Sequence, residues 1–385
     1  VDLIEMFLDP SLLGQSGYEY LPEPSNINPF IDLRSILSKI EIWVVPTHNP
    51  DGLQIVHGYE DDDNQWIQDI AYRKNITDAN GNGIFEYEPY VLGTLDAGND
   101  LDGVDLNRNY DFNFTFGTGY GVEDDYHSCG YGEYRSSYDY YKGEYAFSES
   151  EVTAIRDFAM EKDFVLSIAY HSSRSGCVSE KVIYPWKWNN LSKESPDFQA
   201  ISSIGDNIAS LIPTQDETIH PETDNTYKGS GSYTRRGQAH DWFYAKTGCF
   251  QYLVEMGTWG DEGIQTSSVN FYNEVIKNNF NGLFYLLRRS LGTSADVEQY
   301  GITGIVTNQN TGLPIEDVIY EIDEIHTSIL DDRKTDSFGR YRWLLSEQNN
   351  SNHISFKHWN YDALSSQDFN IGSTSITELN VELTP

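Results

Sequence analysis

FVLSIAYHS, residues 164–172, is a short run of apolar, β-branched and aromatic residues that ends on a histidine and a serine. Its length and composition fit a buried strand. It follows SEVTAIRDFAMEK (150–162), which reads as a helix, with Ser148 or Ser150 placed to cap it and early glutamates suited to the helix dipole. Two further runs have the same character. IEIWVVPT (40–47) reads as a buried strand ending at Pro46, and CFQYLVEMG (249–257) as a third buried strand. NEVIKNNFNGLFYLLRRSLG (273–292) reads as a closing amphipathic helix, and VDLIEMFLDPSLLG (1–14) as an opening one, before a Pro/Asn-rich loop at 22–30. Buried strands alternating with helices predict an α/β fold with a mixed, mostly parallel central sheet flanked by helices. In such sheets ligands bind at the carboxyl ends of the strands. Thr47–Gly52, His171–Ser172 and Glu255–Gly257 all fall there.

From about residue 299 the texture changes. GITGIVTNQNTGLPIEDVIYEI, DSFGRYRWLL and ITELNVELT are short alternating segments divided by turn residues, which predict a small antiparallel β-sandwich over 299–385. Residues 1–293 would form the larger domain.

The chain has 385 residues, with 60 Asp and Glu against 25 Lys and Arg, a formal net charge of −35. That balance argues against nucleic acid, which is bound by basic surfaces that release counterions, and against an anionic membrane. No stretch is apolar for the length a membrane span needs. Aromatic residues make up 14% of the chain, too many for a disordered segment. Cys129, Cys177 and Cys249 allow at most one disulfide and are too scattered for a metal cluster.

The polar segments line up in order with the zinc carboxypeptidase family (carboxypeptidase A/B-like). THNPDG (47–52), AYRKN (71–75), GVDLNRNYDFNF (103–114), YKGEYAFSESEV (141–152), YHSSRSG (170–176), IYPWKW (183–188), TYKGSGS (226–232), HDWFY (240–244) and FQYLVEMG (250–257) carry the resemblance. GVDLNRN is the most specific of these. The C-terminal segments resemble, less closely, the transthyretin-like regulatory sandwich often appended to that family.

The resemblance implies an exopeptidase that hydrolyses the C-terminal peptide bond of peptides or proteins with a zinc-activated water, in an extracellular or periplasmic setting. Zinc with three protein ligands keeps a position open for water, whose pKa it lowers to roughly 7. His171 matches one ligand, although a lone strand-end histidine is more often structural. Glu255 matches the general base, against the plainer reading of a salt-bridged strand-end carboxylate. Arg73 matches the oxyanion stabiliser, and Asn107 and Arg108 match the pair that grips the terminal carboxylate, where a planar guanidinium suits bidentate contact. Tyr227 matches the mobile tyrosine, with Tyr233 as competitor. His240 falls at the floor of the side-chain pocket, and with Arg235 and Arg236 nearby it points to a polar or acidic C-terminal residue.

Two features depart from the pattern. The family's HxxE ligand pair is absent. Only His57 has a glutamate three residues on, Glu60, and that HGYE lies in an acidic loop-like stretch after the NPDG turn. The expectation is one zinc ion with two ligands upstream of Val1, the chain being a fragment. DANGNGIFEYE (78–88) partly resembles a calcium loop, with Asp78, Asn80 and Asn82 at alternating positions, but an Asn/Gly surface turn is the better reading. Two alternatives to the peptidase stand: an inactive module that binds C-terminal carboxylates, and a related zinc amidohydrolase.

Overall fold

The structure, a computed structural model, describes residue 7 and residues 35–60, 64–69, 72–85, 102–116, 140–172, 179–188, 193–215, 220–233, 235–257, 275–325, 327–349 and 352–385. Apart from Phe7, the expected opening helix lies outside the described residues, as do the 22–30 loop, Cys129 and Cys177.

The central sheet comprises β1 (Leu166–Ser172), β2 (Lys181–Tyr184), β3 (Lys228–Gly231) and β4 (Phe250–Met256), in spatial order β1-β4-β2-β3. β1 and β4 pair in parallel, as do β2 and β3, while β2 and β4 are antiparallel. The sheet is therefore mixed and mostly parallel, as the pattern predicts. Every residue from Phe250 to Val254 is buried, which explains why β4 reads as a continuous apolar run rather than an alternating one.

Among the described residues five helices surround the sheet: α1 (Pro50–His57), α2 (Ser150–Lys162), α3 (Phe198–Ser210), α4 (Ala239–Thr247) and α5 (Lys277–Arg289). The main core joins Ile201, Ile204 and Ile208 of α3 to Tyr252 and Val254 of β4 and to Tyr285 and Leu286 of α5. Those isoleucines recur at helical spacing, and burying each contributes roughly 1.5–3 kcal/mol. A second cluster packs Val152 and Ala159 of α2 against Trp242 and Phe243 of α4, with Leu106 and Tyr110 between them.

Two local expectations are corrected. Neither Ser148 nor Ser150 caps α2: the N-cap is Glu149, whose side chain makes no capping bond. Its carboxylate instead accepts from Asn75 Nδ2 and Thr77 Oγ1, each at 2.5 Å. Nor is IEIWVVPT a buried strand. Residues 41–45 belong to no sheet among the described residues, and Trp43, Val44 and Val45 are 48%, 40% and 48% exposed. Trp43 leans on α2, edge to face with Phe158 at 5.3 Å and under Lys162 Nζ at 4.8 Å. A strand is buried by its neighbours, and β-branched composition does not provide them.

The C-terminal region forms two sheets around a core of its own, including Ile302, Val306, Ile354 and Phe356. One contains β5 (Gly301–Asn308) and β7 (Arg340–Leu344), the other β6 (Ile319–Ile322), β8 (Asn352–Lys357) and β9 (Leu364–Phe369). Within these groups the pairing is antiparallel. β10 (Thr377–Glu378) and β11 (Val381–Leu383) instead join β5 in parallel, because the chain returns to that sheet running in the direction of β5. This region is not isolated from the rest. Leu344 belongs to the main core, and Arg289 of α5 donates to the Leu345 carbonyl at 3.1 Å.

Candidate active site

The segments recognised in the sequence are held together by polar side chains. Asn49 opens α1: its Oδ1 accepts from the Gly52 amide at 2.9 Å, and Pro50 occupies the first helical turn. Its Nδ2 donates to the carbonyls of Arg73 and Lys74 at 3.2 and 3.0 Å, which fixes the 72–75 segment. A Cβ on Gly52 would fall 2.3 Å from Asn49 Nδ2 and 2.5 Å from the Lys74 carbonyl, so only glycine permits the approach. Asn75 continues the lacing by exchanging bonds with Val104, its amide donating to the Val104 carbonyl and its Oδ1 accepting from the Val104 amide.

Asp105 lies where these segments meet. Its Oδ2 is 2.7 Å from Arg73 Nη2 and 3.9 Å from Arg108 Nε, and its Oδ1 accepts from the Asn107 amide at 3.1 Å. Burial opposes the charge on Asp105, but Arg73, Arg108 and the Asn107 amide together hold its carboxyl below the usual range. Both guanidiniums also lie over the Tyr140 ring, at 4.7 Å for Arg73 and 5.4 Å for Arg108. Burial, then the neighbouring positive charges of Arg73 and Arg236, lower Arg108 to about 10 despite Asp105. It remains charged at neutral pH.

His171 and Glu255 sit opposite one another in register on the parallel pair β1 and β4, near the carboxyl ends of both strands. They share a face of the sheet. Burial, then the charge of Arg73, lowers His171 to about 4, with smaller contributions from Asp105, His48 and Arg108. His171 is half-buried and near enough to feel all four charges, and its imidazole is neutral at pH 7 with a lone pair to offer. Lys181 is in register with Glu255 on the other side, and Glu255 partly offsets the lowering of Lys181 by burial.

Asn107 spends its Oδ1 on the Ala239 amide at 2.9 Å, which attaches the start of α4 to the 105–109 segment. His240 is fully buried there. Its Nε2 is 3.7 Å from Asp241 Oδ1, and neither ring nitrogen has a hydrogen-bond partner. Burial, with Arg108 and His171 adding to it, lowers His240 to about 3. Burial pushes the Asp241 carboxyl well above the carboxylate range. Arg235 stacks between Phe116 and Trp188, at 5.0 and 4.7 Å.

Thus Arg73, Asn107, Arg108, His171, Glu255 and His240 converge from five separate stretches of chain. Tyr227 is enclosed rather than open to the cleft. It is 2% exposed within the main core, and its hydroxyl accepts from the Gly257 amide and from Asn279 Nδ2, each at 3.3 Å. Tyr227 is thus enclosed, whereas Tyr233 is 61% exposed. Two participants escaped the sequence reading. Asp105 lay inside the GVDLNRN signature without a role assigned to it, and Tyr140 lay just outside the recognised YKGEY segment.

His57 and Glu60 are both exposed, at the end of α1 and in the short ribbon after it. Asp78 accepts from the amides of Gly81, Asn82 and Gly83, and Asn80 and Asn82 accept from amides two residues on, so these side chains close an Asn/Gly turn. Among the described residues no group of three His, Cys, Asp or Glu side chains is arranged to hold a metal ion. His171 suits zinc in chemistry and position, but the described residues do not complete a zinc site.

The described residues thus combine a mixed-sheet α/β fold with arginines near a strand-end His–Glu pair. The profile of the zinc carboxypeptidase family matches residues 25–282, and the chain belongs to that family. Among solved structures, the chain is 20% identical to thrombin-activatable fibrinolysis inhibitor, covering 57% of this chain and 46% of that one, with a TM-score of 0.38. It is 20% identical to carboxypeptidase A from Helicoverpa armigera, over 64% of this chain and 50% of that one, with a TM-score of 0.38. It is 21% identical to bovine thrombin-activatable fibrinolysis inhibitor in complex with tick carboxypeptidase inhibitor, over 63% and 67%, with a TM-score of 0.40. The chain thus spans about half the length of the first two. No curated protein sequence matches it. Among the described residues no helix is long and apolar enough to cross a membrane.

Proposed function

We propose that this chain belongs to an exopeptidase that removes single residues from peptide C-termini. The observation that carries this reading is the in-register His171–Glu255 pair beside the Arg73–Asp105–Arg108 cluster. Asn107 Nδ2 and the Arg108 guanidinium grip the terminal carboxylate, which sets the scissile bond one residue away. Arg73 donates to the oxygen that gains charge as the carbonyl becomes tetrahedral. Glu255 takes the proton of the attacking water and returns it to the leaving amine. The zinc used by the family, when bound, polarises that water, and His171 is the ligand offered by the described residues. The arginines at 235 and 236 favour a polar or acidic terminal residue, and an acidic chain of this kind fits an extracellular or periplasmic setting.

Incubation with a short peptide and with its C-terminal amide, followed by mass spectrometry, tests this. Loss of one residue from the free peptide alone is expected, and equal cleavage of the amide overturns it. Lys181, in register with Glu255, favours a second reading, a module that binds C-termini without cutting them. Tight binding of the free peptide without any product would identify that case. A panel ending in Phe, Lys and Glu reads the terminal preference, and preference for Lys ends the acidic assignment.

A further inference from the structure

The helix that carries His240 is held at both ends. At its start, the Ala239 amide donates to Asn107 Oδ1 at 2.9 Å. At its far end it meets the C-terminal sheets. The Asp331 amide donates to the Ala245 carbonyl at 2.9 Å, Lys246 Nζ is 3.2 Å from Asp331 Oδ1, and the Tyr244 hydroxyl donates to Asp197 Oδ2 at 2.8 Å.

Asp197 is the point where the two regions join. It sits at the start of α3 with its side chain fully enclosed. Besides Tyr244, its carboxylate accepts from Arg333 Nη2 at 2.8 Å and from Trp343 Nε1 at 2.7 Å. Arg333 lies on the Trp343 indole, 3.6 Å from the ring centroid. Gly248, at φ +75°, ends α4 and leaves room for it, since a Cβ there would fall 2.7 Å from Arg333 Nε. Two of the three donors to this buried carboxylate therefore come from the C-terminal region and the third from α4. A buried carboxylate deprived of its cation is strongly disfavoured, so the arrangement holds as a unit or is lost as one.

We propose that Arg333 and Asp197 form a positioning pair: acting through Tyr244 and the strut α4, the C-terminal sheets set where Asn107 sits and so how well the cleft grips a C-terminal carboxylate. The inference rests on the carboxylate role proposed above for Asn107 and Arg108. α4 has nine residues and is roughly 13 Å long, short enough for its hydrogen-bonded ladder to carry a shift at Tyr244 through to Ala239.

The test uses the full chain and the variant Arg333→Met, with two measurements. Calorimetry compares binding of a short peptide with that of its C-terminal amide, and hydrogen exchange follows the Ala239 amide, with amides of β2 as internal reference. Arg333→Met is expected to weaken free-peptide binding at least about tenfold, leave the amide form unchanged and speed Ala239 exchange at least about tenfold, with the β2 amides unmoved. Arg333→Lys, which restores the cation, is expected to recover most of both losses. Should Arg333→Met fail to fold, Tyr244→Phe removes one link and is expected to shift the same two readouts about threefold or more. Unchanged Ala239 exchange in either folded variant overturns the proposal, as does faster exchange with unchanged free-peptide affinity. If the wild-type chain binds the free and amidated peptides equally while Ala239 exchange still responds, the strut stands and the carboxylate role of Asn107 falls.

Discussion

Replacing Asp105 by asparagine isolates the charge that holds the candidate active site together. The substitution keeps size and lets the side chain still accept from the Asn107 amide, but it removes the anion lying 2.7 Å from Arg73 and 3.9 Å from Arg108. A charge-assisted hydrogen bond contributes roughly 1.5–3 kcal/mol, and the Arg73 bond belongs near the lower end because its side chain is 30% exposed. Arg108, buried and already lowered to about 10, loses a close counter-charge as well. Breaking a buried pair by removing one partner costs about 3–5 kcal/mol. An expected loss of about 2–4 kcal/mol in unfolding free energy at pH 7 follows. Asp105 also gives the prediction a pH signature. Its folded-state pKa is lowered, so its contribution is complete above the unfolded value of about 4 and disappears as pH falls through the folded value. Urea unfolding of both proteins at pH 7 and at stepwise lower pH measures this. The two curves should converge on acidification, because protonated Asp105 resembles asparagine. A variant within about 0.5 kcal/mol of the wild type at pH 7 would refute the central role given to Asp105, as would a gap that stays constant into acid.

Glu255→Gln should abolish product formation while leaving free-peptide affinity within about threefold, measured by mass spectrometry and calorimetry on the same samples. Arg73→Ala should lower kcat by about 10²–10³ with a smaller change in KM, as expected for an oxyanion donor. Tyr227→Phe should reduce stability by about 1 kcal/mol with no effect on peptide binding, whereas Tyr233→Phe should leave stability unchanged, and thermal melts with binding data separate the two. His240, lowered to about 3, should stay neutral throughout pH 5–8 in nitrogen NMR spectra. The unfolded chain binds a proton near pH 6.5 that folded His240 refuses, so this residue should make stability fall as pH drops below that value.

The strands and helices that cover their own apolar surface were legible. FQYLV announces burial because its neighbours in the fold are apolar in turn, whereas the isoleucine stripe of α3 was not read from the sequence. IEIWVVPT carries the same composition and still shows three exposed side chains, since a strand also needs partners that its own residues do not encode. The alternating C-terminal segments were legible as strands, but not the direction of β10 and β11, which depends on how the chain crosses between sheets. Within the candidate site, Arg73, Asn107, Arg108, His171 and Glu255 were recognisable because each sits in a specific motif. Tyr227 and Tyr233 both fit one loose pattern, and burial alone tells them apart. Asp197 had no signal at all. It stands in an ordinary ESPDF stretch, and its importance arises from Arg333 and Trp343, more than a hundred residues downstream.

Gly237 lies at φ +62°, and a Cβ there would fall 2.5 Å from the Arg108 carbonyl and 2.6 Å from that of Tyr110. The chain at Gly237 is thereby riveted to the strip around Arg108 and Tyr110, at a spot where no side chain can be inserted. Tyr233, which is exposed, and the half-buried Arg235 lie beside the rivet and can vary in size and charge without prying the two layers apart. A library randomised at Tyr233 and Arg235, with Gly237 kept, would explore this surface while the packing of the two layers is inherited intact.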